Sequence, residues 1–246
     1  MVTGTQGAPP PTWRPDATET GATWLGPVPE PGEHVLVVAP HPDDEVIAAA
    51  GLLVWLSQIG SRASVMAVTD GEASHCRSTV VTPDELRQRR AQERAAAMSF
   101  LGLPVAIERL GLPDGGVAGH EEALTTTLVE RSDRSTTIVA PWRHDGHVDH
   151  DAVGRAAMAA ARRTGAALWE VPIWAKVRAP ASFRAAGPHP SSRLVLSAAL
   201  AARKRDALGC HTSQLQPLGP SPLDGPVVHP HEVDAFLDGI EELRWT

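Results

Sequence analysis

Two short stretches concentrate groups able to hold a cation or move a proton. "APHPDDE" (39–45) sets His41, Asp43, Asp44 and Glu45 directly after an apolar run, and "HDGHVDH" (144–150) sets three histidines among Asp145 and Asp149. His41 and Asp44 are three apart across a turn, and His147 and His150 are three apart at a helix start, so each pair can present its side chains toward one point. Two histidines plus one carboxylate, with a position left for water, is a recurrent catalytic zinc site. The same donor set suits non-haem Fe(II), so these residue types leave the metal open. A plainer account covers the acids alone. Asp43, Asp44 and Glu45 would complement a helix macrodipole at about 0.3 to 1 kcal/mol each, and Asp145, Asp149 and Asp151 would cap another helix. That account leaves His41 unexplained, and the coincidence of two such motifs favours a shared metal.

The elements around them must bring the motifs together. "HVLVVAP" (34–40) is a β-branched run of the kind found in strands covered on both faces. Helical periodicity follows over 44–59, a strand over 64–71, and a long helix over 82–102 opened by Thr82 as N-cap with Pro83 and Glu85 behind it. Strands at 105–110, 136–142 and 167–174 alternate with helices near 120–131 and 149–163. Such a βαβ series predicts a mostly parallel sheet with right-handed crossovers, which places every strand's C-terminal end, and hence both motifs, on one rim. The expected fold is a Rossmann-like three-layer α/β sandwich with the metal site at that rim. Residues 1–32, rich in proline, read as an irregular arm ahead of a single domain over 33–246. The segment 175–195 resists placement apart from a short strand at "RLVLS", and helices over 197–209 and 231–243 are expected to close the fold.

Composition narrows the partners. A net charge of −7 over 246 residues argues against a nucleic-acid surface, and no apolar run is long enough to span a bilayer. A small polar substrate fits better. Cys76 and Cys210 are too few for a disulfide framework, which together with the missing signal-peptide pattern predicts a cytoplasmic protein. Nucleotide binding at the rim is a poor reading, because the loop after the first strand carries three acids and no glycine. They would repel a pyrophosphate unless a divalent cation reversed the sign.

With these motifs the sequence resembles the PIG-L/LmbE-like family of zinc-dependent N-deacetylases, whose signatures are HPDDE after the first strand and HPDH later. "TDGE" (69–72), "RAQERAAAMSFLG" (90–102), "LPDGG" (112–116) and "KRDALGCHTSQ" (204–214) extend the match over about residues 34–214. The resemblance implies removal of an acetyl group from an N-acetylglucosamine-type sugar conjugate. It implies His41, Asp44 and His150 as zinc ligands and Asp43 as general base toward the water that the metal activates. It further implies His147 as oxyanion stabiliser or general acid, Asp149 as the group orienting the His147 ring, and Arg90 and Asp114 as sugar contacts.

On the residues themselves, Asp114 is also a good turn former and Arg90 a surface ion-pair candidate. Glu45 is read as a brace, His75, Cys76 and His144 as polar loop residues, and Lys204 and His211 carry no assigned role. Trp142 and Trp174 fall at strand ends where a ring could stack on a sugar, although burial is the commoner fate. Two departures stand out: Val148 replaces the family's proline, and the chain has no tyrosine, which some relatives use as an oxyanion donor. Two other readings stay open, an amidase cleaving a larger acyl group from a thiol or glycolipid conjugate, and a metal-bound carbohydrate-binding module without turnover. Oligomeric state is not legible.

Overall fold

The computed structural model describes residues 21–28, 30–185 and 191–245. Five strands form a parallel block: β2 (His34–Ala39), β3 (Arg62–Thr69), β4 (Ala106–Leu112), β5 (Thr136–Pro141) and β6 (Ala167–Val171). Three more extend it antiparallel: β1 (Ala22–Leu25), β7 (Ser191–Leu196) and β8 (Ile240–Trp245). The eight-stranded order is β1-β7-β8-β6-β5-β2-β3-β4.

Alternation along β2 explains the layering. Val35, Val37 and Ala39 enter one buried apolar cluster with α1 (Asp44–Gln58), whereas Leu36 and Val38 enter a second with α3 (Glu121–Glu130) and α4 (Val148–Thr164). Because side chains alternate between faces, a strand apolar at every position must be covered on both. α2 (Pro83–Phe100) packs beside α1's layer through α7 (Ala198–Gly209). Thr82 opens α2 with the expected capping box, its hydroxyl accepting from the Glu85 amide while Glu85 accepts from the Thr82 amide.

Three expectations change. The helix expected over 231–243 stops early: α8 spans Pro230–Phe236, Gly239 takes a left-handed φ of +80°, and the chain leaves as β8. The segment 175–195 contains α5 (Trp174–Arg178), α6 (Pro180–Ala185) and the start of β7, with 186–190 outside the described residues. Within the stretch read as an irregular arm, Ala22–Leu25 is a strand paired with β7, whereas residues 1–20 lie outside the described residues. Among the described residues no helix is long and apolar enough to cross a membrane.

Candidate active site

β2 and β5 are hydrogen-bonded neighbours, with Val37 opposite Val139. β3 continues the sheet on the far side of β2, so the order reverses at the β2–β5 boundary, where crevices form beyond strand C-termini. HPDDE leaves β2 and HDGHVDH leaves β5 at this crevice. Gly154 lets α4 lie close over the exit of β5: a Cβ there would stand 2.6 Å from the Pro141 carbonyl oxygen. That approach carries His150, one turn earlier, to the end of β2.

The result is a tight triangle of donor atoms. His41 Nδ1 lies 3.3 Å from Asp44 Oδ2, Asp44 Oδ2 lies 3.3 Å from His150 Nε2, and His150 Nε2 lies 3.2 Å from His41 Nδ1. A tetrahedral ion bonded at about 2.0–2.1 Å to each donor requires donor–donor edges of about 3.3 Å, so these three atoms fit a small dication such as zinc.

Each imidazole is held from behind by carboxylate. His150 Nδ1 is 2.9 Å from Asp145 Oδ2, and Asp145 in turn accepts from the amides of Ile173, Trp174 and Ala175 at the start of α5. His41 Nε2 is 3.2 Å from both Asp114 Oδ1 and Asp149 Oδ2. These partners assign opposite tautomers, protonated at Nδ1 in His150 and at Nε2 in His41, and leave the triangle's nitrogens as lone-pair donors. Sequence reasoning missed Asp145 in this role. The signal was present, since a metal-bound histidine ordinarily donates its other N–H to a carboxylate, but five residues of separation did not reveal the contact.

Asp149 stands differently from expectation. Its carboxylate accepts from the Gly115 and Val117 amides and contacts His41, while it meets His147 only through its backbone amide, which donates to His147 Nδ1 at 3.3 Å. It therefore orients the His41 ring. His147, N-cap of α4, keeps Nε2 as an N–H donor beside the triangle, its ring centroid 4.9 Å from that of His41. Burial, reinforced by His150 and His41, lowers the His147 pKa to about 4, so the ring is neutral.

Asp43 adopts φ 134°, a left-handed conformation that costs a non-glycine residue about 1–3 kcal/mol and is typical of functional sites. Burial raises its carboxyl pKa to about 7 against the opposing pull of Arg90, with the like charge of Asp44 adding to the rise. Asp44 is held well below the carboxylate range: burial opposes this, and His150 and His41 prevail. For His150, burial is outweighed by Asp44 and Asp145, and its pKa rises to about 9. His41 is likewise carried well above its usual value, burial being outweighed by Asp114, Asp149 and Asp44.

Arg90 is buried, donating to the Gly71 and Pro42 carbonyls at 2.9 and 2.8 Å and to Asp43 at 3.3 Å. Asp114 accepts from the Ala73 amide and contacts His41. Both line the cavity, yet these hydrogen bonds run to the protein. Glu45 pairs with buried Arg94 at 3.1 Å, the bracing part expected of it. Trp142 is buried against Phe183, not offered to a ligand, whereas Trp174 lines the cavity. His211 is buried outside that lining.

A family model described as GlcNAc-PI de-N-acetylase (PIG-L) matches residues 36–161, which include both motifs. A Bacillus cereus protein called probable N-acetyl-alpha-D-glucosaminyl L-malate deacetylase 2 is 28% identical over 139 residues, covering 53% of this chain and 61% of its own length. The chain thus matches about three-fifths of that relative. A conserved protein from Thermus thermophilus superposes with a TM-score of 0.58 at 26% identity, over 85% of this chain and 92% of that one. The N,N'-diacetylchitobiose deacetylase of Pyrococcus horikoshii shares the fold with a TM-score of 0.60 at 19% identity, over 87% and 84%. With the family model covering half the chain and spanning both motifs, the protein belongs to the PIG-L family.

Proposed function

We propose that this protein is a zinc-dependent hydrolase that removes the N-acetyl group from an N-acetylglucosamine-type sugar conjugate. The observation that carries the reading is the triangle of His41, Asp44 and His150 at metal-ligand spacing, with buried, strained Asp43 beside it. Zinc suits two imidazoles and one carboxylate, with Fe(II) the nearest substitute. When bound, such an ion polarises the amide carbonyl and makes water a stronger acid. Family membership supports the deacetylase class, and the names of the Bacillus and Pyrococcus relatives support an amino-sugar substrate.

The chain's own residues supply the proton handling. Asp43, its carboxyl pKa raised to about 7, is the general base that takes a proton from the attacking water. Arg90 holds its carboxylate in place. His147 donates from Nε2–H as a neutral imidazole, which meets the developing oxyanion in a chain that has no tyrosine to do so. Asp149 and Asp114 fix His41, and Asp145 fixes His150. The sugar-contact roles of Arg90 and Asp114 become secondary here, their geometry favouring positioning of Asp43 and His41.

Metal analysis joined to amine-release assays on N-acetylglucosamine conjugates tests the reading. Stoichiometric zinc and deacetylation are expected. Asp43→Asn should keep its metal and lose about 10²- to 10⁴-fold in kcat. Full activity in that variant would sink the mechanism.

A further inference from the structure

The cavity in front of the triangle is small, about 100 Å³, against about 300 Å³ at the lower end for clefts that bury a drug-sized ligand. It can enclose the scissile end of a substrate, with the sugar lying at the mouth. Part of its wall is apolar. Ile47 comes from α1, Trp174 from the start of α5, and Val227 and Val228 from the proline-rich segment 216–229, outside the family match. Ile47 and Val228 belong to one buried cluster, and Trp174 packs against it. Ile47, Val227 and Val228 offer no side-chain hydrogen bond to a sugar hydroxyl, and the polar part of the lining, Ser74 and Gln214, lies outside this wall. Trp174 is a poor stacking platform, because the Arg178 guanidinium sits 4.2 Å from its ring centroid and Phe236 meets it edge-on. An alkyl group is the ligand chemistry that suits it.

Segment 216–229 is latched in place. The Gln214 carbonyl accepts from both the Val227 and Val228 amides, at 2.9 and 3.0 Å. From the loop after β3, His75 Nε2 reaches the Gly225 carbonyl at 3.0 Å and the Ser78 hydroxyl reaches Asp224 at 2.5 Å. Proline at 217, 220, 222 and 226 further restricts the backbone. With residues 224–228 held both to Gln214 and to the loop after β3, the wall cannot yield to a longer chain without breaking these contacts.

We infer that segment 216–229 determines acyl specificity: by holding Val227 and Val228 against Ile47 and Trp174 beside the donor triangle, it limits the group removed to acetyl or propionyl. The inference deepens, and rests on, the proposed deacetylase function, and it rejects cleavage of long acyl chains. Each methylene beyond the wall should cost about tenfold or more.

Two measurements test it, one independent of turnover. In the first, zinc-loaded protein is assayed on glucosamine bearing N-acetyl, N-butanoyl and N-hexanoyl groups. The wild type should favour acetyl over hexanoyl by at least about 100-fold, and Val227→Ala/Val228→Ala should narrow that ratio by about tenfold or more. Ser78→Ala, which releases the latch, should narrow it in the same direction. In the second, acetate, butanoate and hexanoate are titrated into zinc-loaded protein by calorimetry. Acetate should bind most tightly in the wild type, and the preference should weaken in the double variant. Equal hydrolysis of hexanoyl substrate, equal binding of all three carboxylates, binding of none, or a uniform loss in the variants without a change in ratio would overturn the inference. If no glucosamine amide is cleaved yet the carboxylates are still discriminated, the deacetylase reading falls and the acyl wall stands.

Discussion

At the scale of single residues, the site is decided by which nitrogen of each histidine carries a proton. Asp145 behind His150, and Asp149 with Asp114 behind His41, hold the protons on the outer nitrogens and turn lone pairs toward one point. Without metal, the inner nitrogens take up protons in turn, because Asp44 and the outer carboxylates raise the His150 pKa to about 9 and carry that of His41 well above its usual value. The sign follows from linkage. A histidine pKa raised on folding stabilises the metal-stripped protein fully below about 6.5, and that contribution is lost as pH rises through about 9. Metal must displace those same protons, so zinc affinity should rise with pH over this window. Chelator competition across it is the measurement, with a falling or flat affinity counting against the ligand assignment. In the same assay Asp145→Asn should weaken zinc by about 10- to 100-fold.

At the scale of elements, α1 is gripped in its middle by an ion pair that nothing in its own sequence reveals. Lys204 of α7 and Glu241 of β8, both buried, meet at 2.8 Å. Lys204 donates to the Ile47 carbonyl at 2.7 Å, while Glu241 accepts from the Gly51 and Leu52 amides at 2.8 and 2.9 Å. Those backbone groups belong to the helix's own i→i−4 ladder, so the pair shares or replaces it and sets the helix one turn beyond Asp44. Gly51 leaves the room, since a Cβ there would stand 2.3 Å from Leu196 Cδ2. Lys204→Met leaves a buried carboxylate without its cation and should destabilise by about 3–5 kcal/mol, whereas Lys204→Met/Glu241→Leu should recover much of that loss. Urea denaturation of the three proteins distinguishes this from a pair of no consequence.

The β2, α1 and α2 boundaries were readable because each carries a local cause: a β-branched run, helical spacing, and the Thr82 capping box; β3 starts and ends two residues before the expected 64–71. β8 was not readable. "IEELRW" is built of good helix formers, and what makes it a strand is Gly239 at its start together with a lysine on α7 waiting for Glu241. Tertiary partners overrode propensity there.

At the scale of the whole molecule, the parallel block carries the site and the antiparallel strands β8, β7 and β1 complete the sheet on the side of β6. β1 joins through Ala22–Leu25, and Trp24 meets Trp55 of α1 edge-to-face with ring centroids 5.3 Å apart. A chain begun at Glu30 would lose that contact and uncover β7. It should lose about 3 kcal/mol or more in urea denaturation while still binding zinc, because β1 lies far from β2 in the strand order. An unchanged midpoint would mean that β1 adds nothing.

The sequence by itself determined the donor chemistry and its address. Side-chain types decide what can bind a cation, and an apolar run feeding acids at a helix start places those donors at a strand's end. Family membership was legible in the same residues. Only the tertiary structure decided which acid serves which ring: Asp145 on His150, Asp149 and Asp114 on His41, Arg90 on Asp43. Asp145 and His150 apart, these contacts join segments whose separation in sequence carries no information about distance in space. Their geometry is set by the pairing of β2 with β5 and by the close passage of α4 over β5 at Gly154.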